Sequence, residues 1–252
     1  MLSKIRIKFI HSLKLKKFRD VHRLFIAEGI KIVSELLDSN IKVKELYVVK
    51  DFFKQKSNIQ QYEVTEAELK KISFLSTPNK VIAVAEIPKH DIGKENFSSM
   101  LSIVLDDIQD PGNLGTIVRI ADWFGIENII CSNNSVDVYN PKVVQATMGS
   151  IAHVKVHYTD LREFFKSQKN TQSIKTYGAV LNGENIYKRE LSDKGLIVLG
   201  NESNGISDKL LPYITDKISI PTFAANKSQS AESLNVSIAA AIICSEFRKI
   251  KL

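Results

Sequence analysis

From Leu101 onward, short runs of apolar residues alternate with stretches whose apolar positions recur at helical spacing. A strand that is buried on both faces reads as a continuous apolar run, so this alternation predicts a mainly parallel sheet covered by helices. The runs that we interpret as strands are residues 103–105, 129–131, 154–157, 179–181, 196–199 and 218–220. The fold class is therefore α/β, and we expect ligands to bind in loops at the carboxyl ends of these strands.

The part of the chain before Leu101 has a different pattern. Residues 25–37 carry apolar positions at helical spacing, which predicts a helix that ends at the polar break 38–40. Thr65 followed by Glu68 is typical of a capping box at a helix start. The stretches that we interpret as strands here are residues 43–49 and 80–85. These elements predict a small α/β unit of ordinary domain size.

Residues 86–100 are polar and rich in turn-forming residues, which is typical of a linker. We therefore expect two domains, residues 1–95 and residues 96–252. The sequence shows no internal repeat and no low-complexity tract.

Positive charge is concentrated at one end of the chain. The 252 residues carry a formal net charge of +7. Residues 1–23 hold eight basic residues and one acidic residue, Asp20, and the charges of residues 24–252 balance. The block is typical of a segment that contacts a polyanion, and nucleic acid is favoured over a lipid surface as that polyanion. A solvated helix face explains the block equally well. The eight basic residues are Lys4, Arg6, Lys8, Lys14, Lys16, Lys17, Arg19 and Arg23.

Composition excludes several classes of protein. A chain of this length with 44% hydrophobic residues is neither a disulfide-stapled miniprotein, a fibrous repeat nor a disordered tail. No run approaches the roughly 20 apolar residues of a membrane helix. Residues 1–23 lack a secretory signal pattern, although an organelle transit peptide stays open. Cys131 and Cys244 lie in apolar runs, which predicts buried thiols and a cytoplasmic location.

The loop after the strand at 103–105 reads Asp106-Asp107-Ile108-Gln109-Asp110-Pro111-Gly112-Asn113-Leu114-Gly115. We expect Asn113 to cap the helix that follows. Arg119 falls off the apolar stripe near the start of this helix, where a guanidinium gains from a bound phosphate or carboxylate. The alternative is a surface pair with Asp122, which this loop alone favours.

Two later loops follow strands in the same way. Gly200-Asn201-Glu202-Ser203-Asn204-Gly205 places an acid between two glycines, where the backbone can approach a ligand closely. The other runs from Ile220-Pro221 through a polar stretch to Ser233-Leu234-Asn235. We expect Ser233 to cap the final helix. Taken alone, each of these loops can also be a simple connection.

Other chemistry is disfavoured. Neither the dinucleotide fingerprint, the P-loop nor the Gly-x-Ser-x-Gly elbow is present. The five histidines show no metal-ligand spacing, so we expect no metal. Trp123 and Phe124 are interpreted as core residues rather than as a base-stacking platform.

Together the three loops resemble the three motifs of the SpoU (TrmH-like) branch of the SPOUT RNA methyltransferases. Upstream, Phe25-Ile26-Ala27-Glu28-Gly29 is similar to the start of the small ribosomal-protein-like domain of this family. The resembling motifs are Asp110-Pro111-Gly112-Asn113-Leu114-Gly115-Thr116 with Arg119, Leu199-Gly200-Asn201-Glu202-Ser203-Asn204-Gly205-Ile206, and Ile220-Pro221 with Glu232-Ser233-Leu234-Asn235-Val236-Ser237.

The resemblance implies a trefoil-knotted parallel-sheet methyltransferase domain preceded by a small α/β substrate-binding domain. It also implies a homodimer, S-adenosyl-L-methionine as cofactor, and methyl transfer to a ribose 2′-hydroxyl of RNA. The positions that match the family's catalytic residues are Asn113, Arg119, Glu202 and Asn235. The positions that match its cofactor-binding residues are Leu199, Gly200, Ile220 and Leu234.

Two features depart from the family pattern. Gln145 stands where an Arg is common, and the stretch between Pro221 and Ser233 is long. We assign no cofactor contact to residues 222–232.

The resulting expectation is an rRNA 2′-O-methyltransferase that binds no metal and no membrane, ribosomal RNA being favoured over transfer RNA because of the extra N-terminal domain. A tRNA methyltransferase and a non-catalytic RNA-binding or assembly factor are the alternatives. A nicotinamide-dependent enzyme is disfavoured by the missing glycine fingerprint.

Overall fold

The computed structural model describes residues 2–50, 59–171, 174–224 and 231–249. The helices are α1 Lys4–Ser12, α2 Lys16–His22, α3 Ile30–Leu37, α4 Glu66–Lys70, α5 Pro111–Trp123, α6 Pro141–Thr147, α7 Leu161–Thr171 and α8 Val236–Arg248. The strands are β1 Leu24–Glu28, β2 Val43–Val49, β3 Gln60–Val64, β4 Val81–Glu86, β5 Leu101–Leu105, β6 Asn128–Ser132, β7 Lys155–Thr159, β8 Thr176–Asn185, β9 Gly195–Leu199 and β10 Asp216–Ser219. None of the described helices is long and apolar enough to cross a membrane.

The chain forms two units, each with a sheet of its own. One unit is Met1–Lys89 with Asp137–His153, and the other is His90–Val136 with Val154–Leu252. The first unit thus takes in α6, which packs against β1.

The sheet of the first unit has the strand order β1-β4-β2-β3. Strand β4 is antiparallel to both of its neighbours, whereas β2 and β3 are parallel. The α1 residue Ile10 and the following Leu13 are fully buried in the core of this unit. The face of helix α1 that carries Ile10 is therefore buried in the interior of the unit.

The structure confirms part of the expected pattern in this unit and corrects another part. Strand β2 spans the predicted residues, and both hydrogen bonds of the Thr65–Glu68 capping box are present. The helix predicted from residue 25 is wrong at its start, because Leu24–Glu28 is strand β1 and the helix begins at Ile30. Four consecutive residues of β1 are buried, so the run lacks the alternation that identifies a strand in a sequence.

The sheet of the second unit has the order β10-β8-β9-β5-β6-β7, and all of its pairs are parallel. Each of the six predicted apolar runs lies in or overlaps one of these strands. Strands β5 and β9 are buried along their whole length and pair from Leu101↔Gly195 to Leu105↔Leu199. Since parallel neighbours end at the same edge, the loops after β5 and β9 lie side by side.

Candidate active site

The loop after β5 leads directly into α5. Asp110 caps this helix, because its side chain accepts a hydrogen bond from the backbone N–H of Asn113 at 2.8 Å, and Pro111 occupies the first turn. The expectation that Asn113 is the cap is therefore wrong. Both residue types cap well, and Pro111 favours the helix start three residues earlier. The Asn113 side chain is consequently available for other contacts.

Helix α8 begins on the third loop. Its cap is Asn235, whose Oδ1 accepts hydrogen bonds from the backbone N–H of Ser237 at 2.9 Å and of Ile238 at 3.4 Å. The Ser237 hydroxyl donates to the same oxygen at 2.6 Å. The expectation that Ser233 caps this helix is wrong, because the helix begins at Val236 and the residue directly before it, Asn235, occupies the cap position. The three donors hold Oδ1 toward α8, so Nδ2 of Asn235 points away from it.

Three of the four candidate catalytic residues are joined by hydrogen bonds. Nδ2 of Asn235 donates to Oδ1 of Asn113 at 2.9 Å. Nδ2 of Asn113 donates in turn to Oε1 of Glu202 at 2.9 Å. We call Asn113, Glu202 and Asn235 the Asn–Glu–Asn cluster. It connects all three motif loops, and its direction is set because each amide uses its oxygen on one side and its nitrogen on the other.

Side chains that the sequence reasoning missed brace the first two loops against each other. The buried Asp106 accepts hydrogen bonds at Oδ2 from the backbone N–H and the hydroxyl of Ser207, at 2.8 and 2.6 Å. Asn201 donates from Nδ2 to the carbonyl of Asp107 at 2.8 Å. Asp107 adopts a left-handed backbone conformation with φ 61°. The position of an acid directly after the apolar run 103–105 is the sequence signal that could have identified Asp106.

Gly200 lies where the second loop closes on itself. Asn201 and Gly205 exchange two backbone hydrogen bonds at 3.0 and 2.9 Å. A Cβ on Gly200 would lie 2.0 Å from the carbonyl carbon of Gly205, which no real side chain tolerates. The glycine is thus required by the turn that presents Glu202, whether or not a ligand also approaches it.

Arg119 is not part of the cluster. It lies on α5, is exposed, and makes no hydrogen bond or ion pair with another residue in the described part of the chain. Glu202 is exposed as well, and its second carboxylate oxygen has no hydrogen bond to another described residue. As far as the described residues go, Arg119 and this oxygen of Glu202 can therefore meet an incoming ligand without first breaking a hydrogen bond or an ion pair.

The candidate cofactor-binding residues lie at the ends of β9 and β10 and before α8. Leu199 is buried, and its carbonyl already accepts the N–H of Asp106 at 2.9 Å. Ile220 is half-buried, whereas 49% of Leu234 is exposed. Phe223, which the sequence reasoning did not single out, is 86% exposed. Apolar side chains left exposed beside strand-end backbone suit the adenine and ribose of S-adenosylmethionine, so the residues fit this cofactor.

The structure also shows how exposed Trp123 and the two cysteines are. Trp123 is 84% exposed, so its expected place in the core is wrong; it lies in the last turn of α5. Cys131 and Cys244 are buried as predicted, and burial raises the pKa of Cys244 to about 12 and that of Cys131 further. Neither thiol is therefore a nucleophile at neutral pH. The described residues contain no group of three or more His, Cys, Asp or Glu that could hold a metal ion.

Comparison with known proteins finds matches to both parts of the chain. The SpoU rRNA Methylase family matches residues 100–245, and the MRM3-like substrate binding domain matches residues 4–83. The 23S rRNA (guanosine(2553)-2′-O)-methyltransferase RlmP of Bacillus subtilis (strain 168) is 30% identical over 248 residues, which cover 96% of each chain.

Two similar solved structures cover nearly the whole chain. A TrmH-family protein from Porphyromonas gingivalis is 37% identical, with a TM-score of 0.88 and 99% of each chain covered. An AdoMet-bound rRNA methyltransferase from Sinorhizobium meliloti is 27% identical, with a TM-score of 0.87, and covers 100% of this chain and 97% of its own. Fold and site together define a methyltransferase of the SPOUT class. The chain belongs to the SpoU rRNA methylase family, which confirms the resemblance of its three motifs.

Proposed function

We propose that this protein transfers a methyl group from S-adenosylmethionine to a ribose 2′-hydroxyl of ribosomal RNA. The observation that carries the proposal is the Asn–Glu–Asn cluster, which joins the three motif loops at the carboxyl edge of the parallel sheet. In this proposal residues 1–95 bind the RNA, and residues 96–252 form the methyltransferase domain. The enzyme acts where ribosomes are assembled, in the cytoplasm.

When bound, S-adenosylmethionine supplies a methyl group that its sulfonium has already activated. Leu199, Gly200, Ile220 and Leu234 would hold the cofactor, through backbone groups and apolar contact. The protein's own residues then have to align the ribose oxygen and raise its nucleophilicity.

Glu202 and Arg119 divide this work between them. The carboxylate oxygen of Glu202 that has no hydrogen bond to another described residue accepts a hydrogen bond from the ribose hydroxyl and takes up its proton as the new oxygen–methyl bond forms, while Asn113 holds the other oxygen in place. Arg119 orients the neighbouring phosphate and stabilises the negative charge that develops on the ribose oxygen. A guanidinium does not serve as the base, because its pKa lies above about 12.

The proposal includes a trefoil knot and a homodimer. Helices α5 and α8 pack on each other, and each leaves a large apolar side chain exposed, Trp123 at 84% and Ile238 at 52%. A second copy of the chain would cover such groups. Light scattering on the purified protein tests this part, and a monomer over the whole working concentration range would contradict it.

Mapping of 2′-O-methyl groups across cellular RNA, with and without this protein, tests the activity. We expect one site in ribosomal RNA to be lost and to return when the wild-type gene is restored, but not with a Glu202→Gln variant. If the lost site lay in transfer RNA, the substrate would be transfer RNA and not ribosomal RNA. If no site were lost, the protein would be a non-catalytic RNA-binding or assembly factor.

A further inference from the structure

The structure divides the basic block of residues 1–23 into two chemically different sets. All three arginines are engaged by protein oxygens. Arg6 pairs with Glu45 at 2.6 Å, and Arg23 donates to the carbonyls of Ile87 and Pro88 at 3.2 and 3.3 Å. The third, Arg19, is buried and pairs with Asp137.

Arg19 is only 2% exposed and pairs with Asp137 at 2.5 Å. Its guanidinium also donates to the carbonyls of Leu13 and Lys14, at 3.0 and 2.7 Å. It therefore ties the turn between α1 and α2 to the Asp137 segment of the same unit. A buried, fully paired guanidinium is not available to a ligand, so Arg19 is structural.

The five lysines of the block behave differently. All are exposed, and within the described residues none pairs with a carboxylate; Lys17 alone has an assigned contact, with its ammonium 5.0 Å from the Phe18 ring centroid. We call them the α1–α2 lysines: Lys4, Lys8, Lys14, Lys16 and Lys17. Apart from Arg23, which donates to neutral carbonyls, these side chains carry the positive charge of residues 1–23 that no carboxylate neutralises within the described residues.

We propose that the α1–α2 lysines form the surface that contacts RNA phosphates, and that Arg6 and Arg19, whose guanidiniums pair with carboxylates, do not contact RNA. The inference rests on the proposed function for the identity of the polyanion. Lysine ammoniums are compact point charges that suit phosphate oxygens, and such contacts position an RNA without reading its sequence.

A lipid surface fits these residues less well. A helix that lies in a membrane interface buries a continuous apolar face in the lipid. The apolar face of α1 is already used, because Ile10 and the following Leu13 are fully buried in the protein core. The large apolar side chains that remain exposed here, Ile5, Leu15 and Val21, are scattered over α1, α2 and the turn between them.

The test compares two variants of the full chain with equal charge change. In the first, all five α1–α2 lysines become Gln. In the matched control, five exposed lysines that each pair with a carboxylate become Gln: Lys42, Lys44, Lys94, Lys166 and Lys249. Affinity for a fluorescein-labelled RNA hairpin is measured by anisotropy over a series of KCl concentrations, and circular dichroism verifies the fold.

We expect the first variant to lose about tenfold or more in RNA affinity at physiological salt, and the slope of log K against log[KCl] to flatten by about 3 to 4. The control should keep both values. Equal affinities in all three proteins would overturn the inference, and so would equal losses in both variants. Loss of binding to phosphatidylglycerol vesicles with unchanged RNA binding would assign the surface to lipid instead.

Failure of this inference and failure of the proposed function give different results. Calorimetry with S-adenosylmethionine and rRNA methylation by the wild-type protein report on the function alone. A wild type that methylates rRNA while the α1–α2 lysine variant binds RNA normally refutes only the surface. If the wild-type protein methylates no RNA, but replacement of these lysines still weakens RNA binding, only the proposed function is refuted.

Discussion

Asn113 donates a hydrogen bond to Glu202 and accepts one from Asn235, both at 2.9 Å, so its amide has a single permitted orientation. If the amide were turned over, its nitrogen would face the Asn235 nitrogen and its oxygen would face the Glu202 carboxylate. Asn235 is oriented in turn by the N terminus of α8. The order of donors and acceptors in the cluster is thus set by the start of α8 and runs from Asn235 through Asn113 to the Glu202 carboxylate.

Replacement of Asn113 by Asp tests this order. The new carboxylate would face Glu202 and could no longer donate to it, so Glu202 would lose its support and gain a like charge. We expect kcat to fall by about 100-fold or more, with the affinity for S-adenosylmethionine nearly unchanged. Methyl transfer from labelled cofactor to rRNA measures the first quantity and calorimetry the second. Asn113→Ala should retain more activity than Asn113→Asp, and the opposite order would contradict the orientation argument.

Substitution of Arg119 by Lys separates charge from geometry. Arg119 is exposed and unpartnered in the described part of the chain, so its replacement should leave the melting temperature unchanged. Lysine keeps the charge but lacks the planar, forked donor set, and we expect kcat/KM for rRNA to fall by about tenfold or more. Turnover at the wild-type level would show that a positive charge alone suffices. Arg162→Lys, on the exposed part of α7, is the matched control.

The sequence predicted the six strands of the parallel sheet and the loops that follow β5, β9 and β10, because apolar runs and loop residue types are local signals; in the first unit it missed β1 and β3. It misplaced both helix starts at the site, since Asp110 competes with Asn113 and Asn235 with Ser233 as a cap. Local pattern cannot choose between caps of similar strength a few residues apart. The burial of Arg19 could not be foreseen either, because its partner Asp137 is 118 residues away in the chain.

Gly200→Ala should disable the second loop. The added Cβ would fall 2.0 Å from the backbone of Gly205, and backbone cannot yield as a flexible side chain can. We expect the turn between Asn201 and Gly205 to open, with loss of S-adenosylmethionine binding and of turnover together. Calorimetry and methyl transfer measure these effects. Gly93→Ala is the control, since its Cβ would meet only a side-chain oxygen of Asp91 at 3.3 Å; retention of cofactor binding by Gly200→Ala would contradict the steric argument.

The protein should become less stable as the pH is lowered, because of His157. Burial, together with the nearby His90 and Lys155, lowers its pKa to about 4, although Glu95 and Asp91 act in the opposite direction. The neutral ring contacts Oδ1 of Asn128 at 2.9 Å. Unfolded chains bind a proton at His157 below about pH 6.5, whereas the folded protein does so only near pH 4. The stabilisation is therefore complete above pH 6.5 and is lost as the pH falls toward 4.

The slope of the free energy of unfolding from this one group is at most about 1.4 kcal/mol per pH unit. Urea unfolding of wild type and His157→Gln between pH 4 and 7 measures it. The variant should be less stable at pH 7 but should lose less stability on acidification. His22→Gln, which alters an exposed ring, is the control. Parallel pH profiles of wild type and His157→Gln would exclude His157 as the source.

Two buried serines of the parallel sheet should respond to the same substitution with opposite signs. The hydroxyl of Ser102 on β5 is buried and finds no hydrogen-bond partner among the residues that the structure describes. Ser132 on β6 is also buried, but its hydroxyl accepts the N–H of Asp107 at 2.9 Å and lies 3.0 Å from that of Ser135.

A buried polar group without a partner costs about 1–3 kcal/mol, whereas a satisfied one contributes to stability. Ser102→Ala should therefore raise the free energy of unfolding by about 1 kcal/mol, and Ser132→Ala should lower it by a similar amount. Because Ser132 supports the left-handed Asp107 in the first motif loop, its replacement should also reduce turnover, while Ser102→Ala leaves turnover unchanged. Urea unfolding and methyl-transfer assays on both variants decide the matter, and a destabilised Ser102→Ala would mean that the Ser102 hydroxyl has a partner in solution.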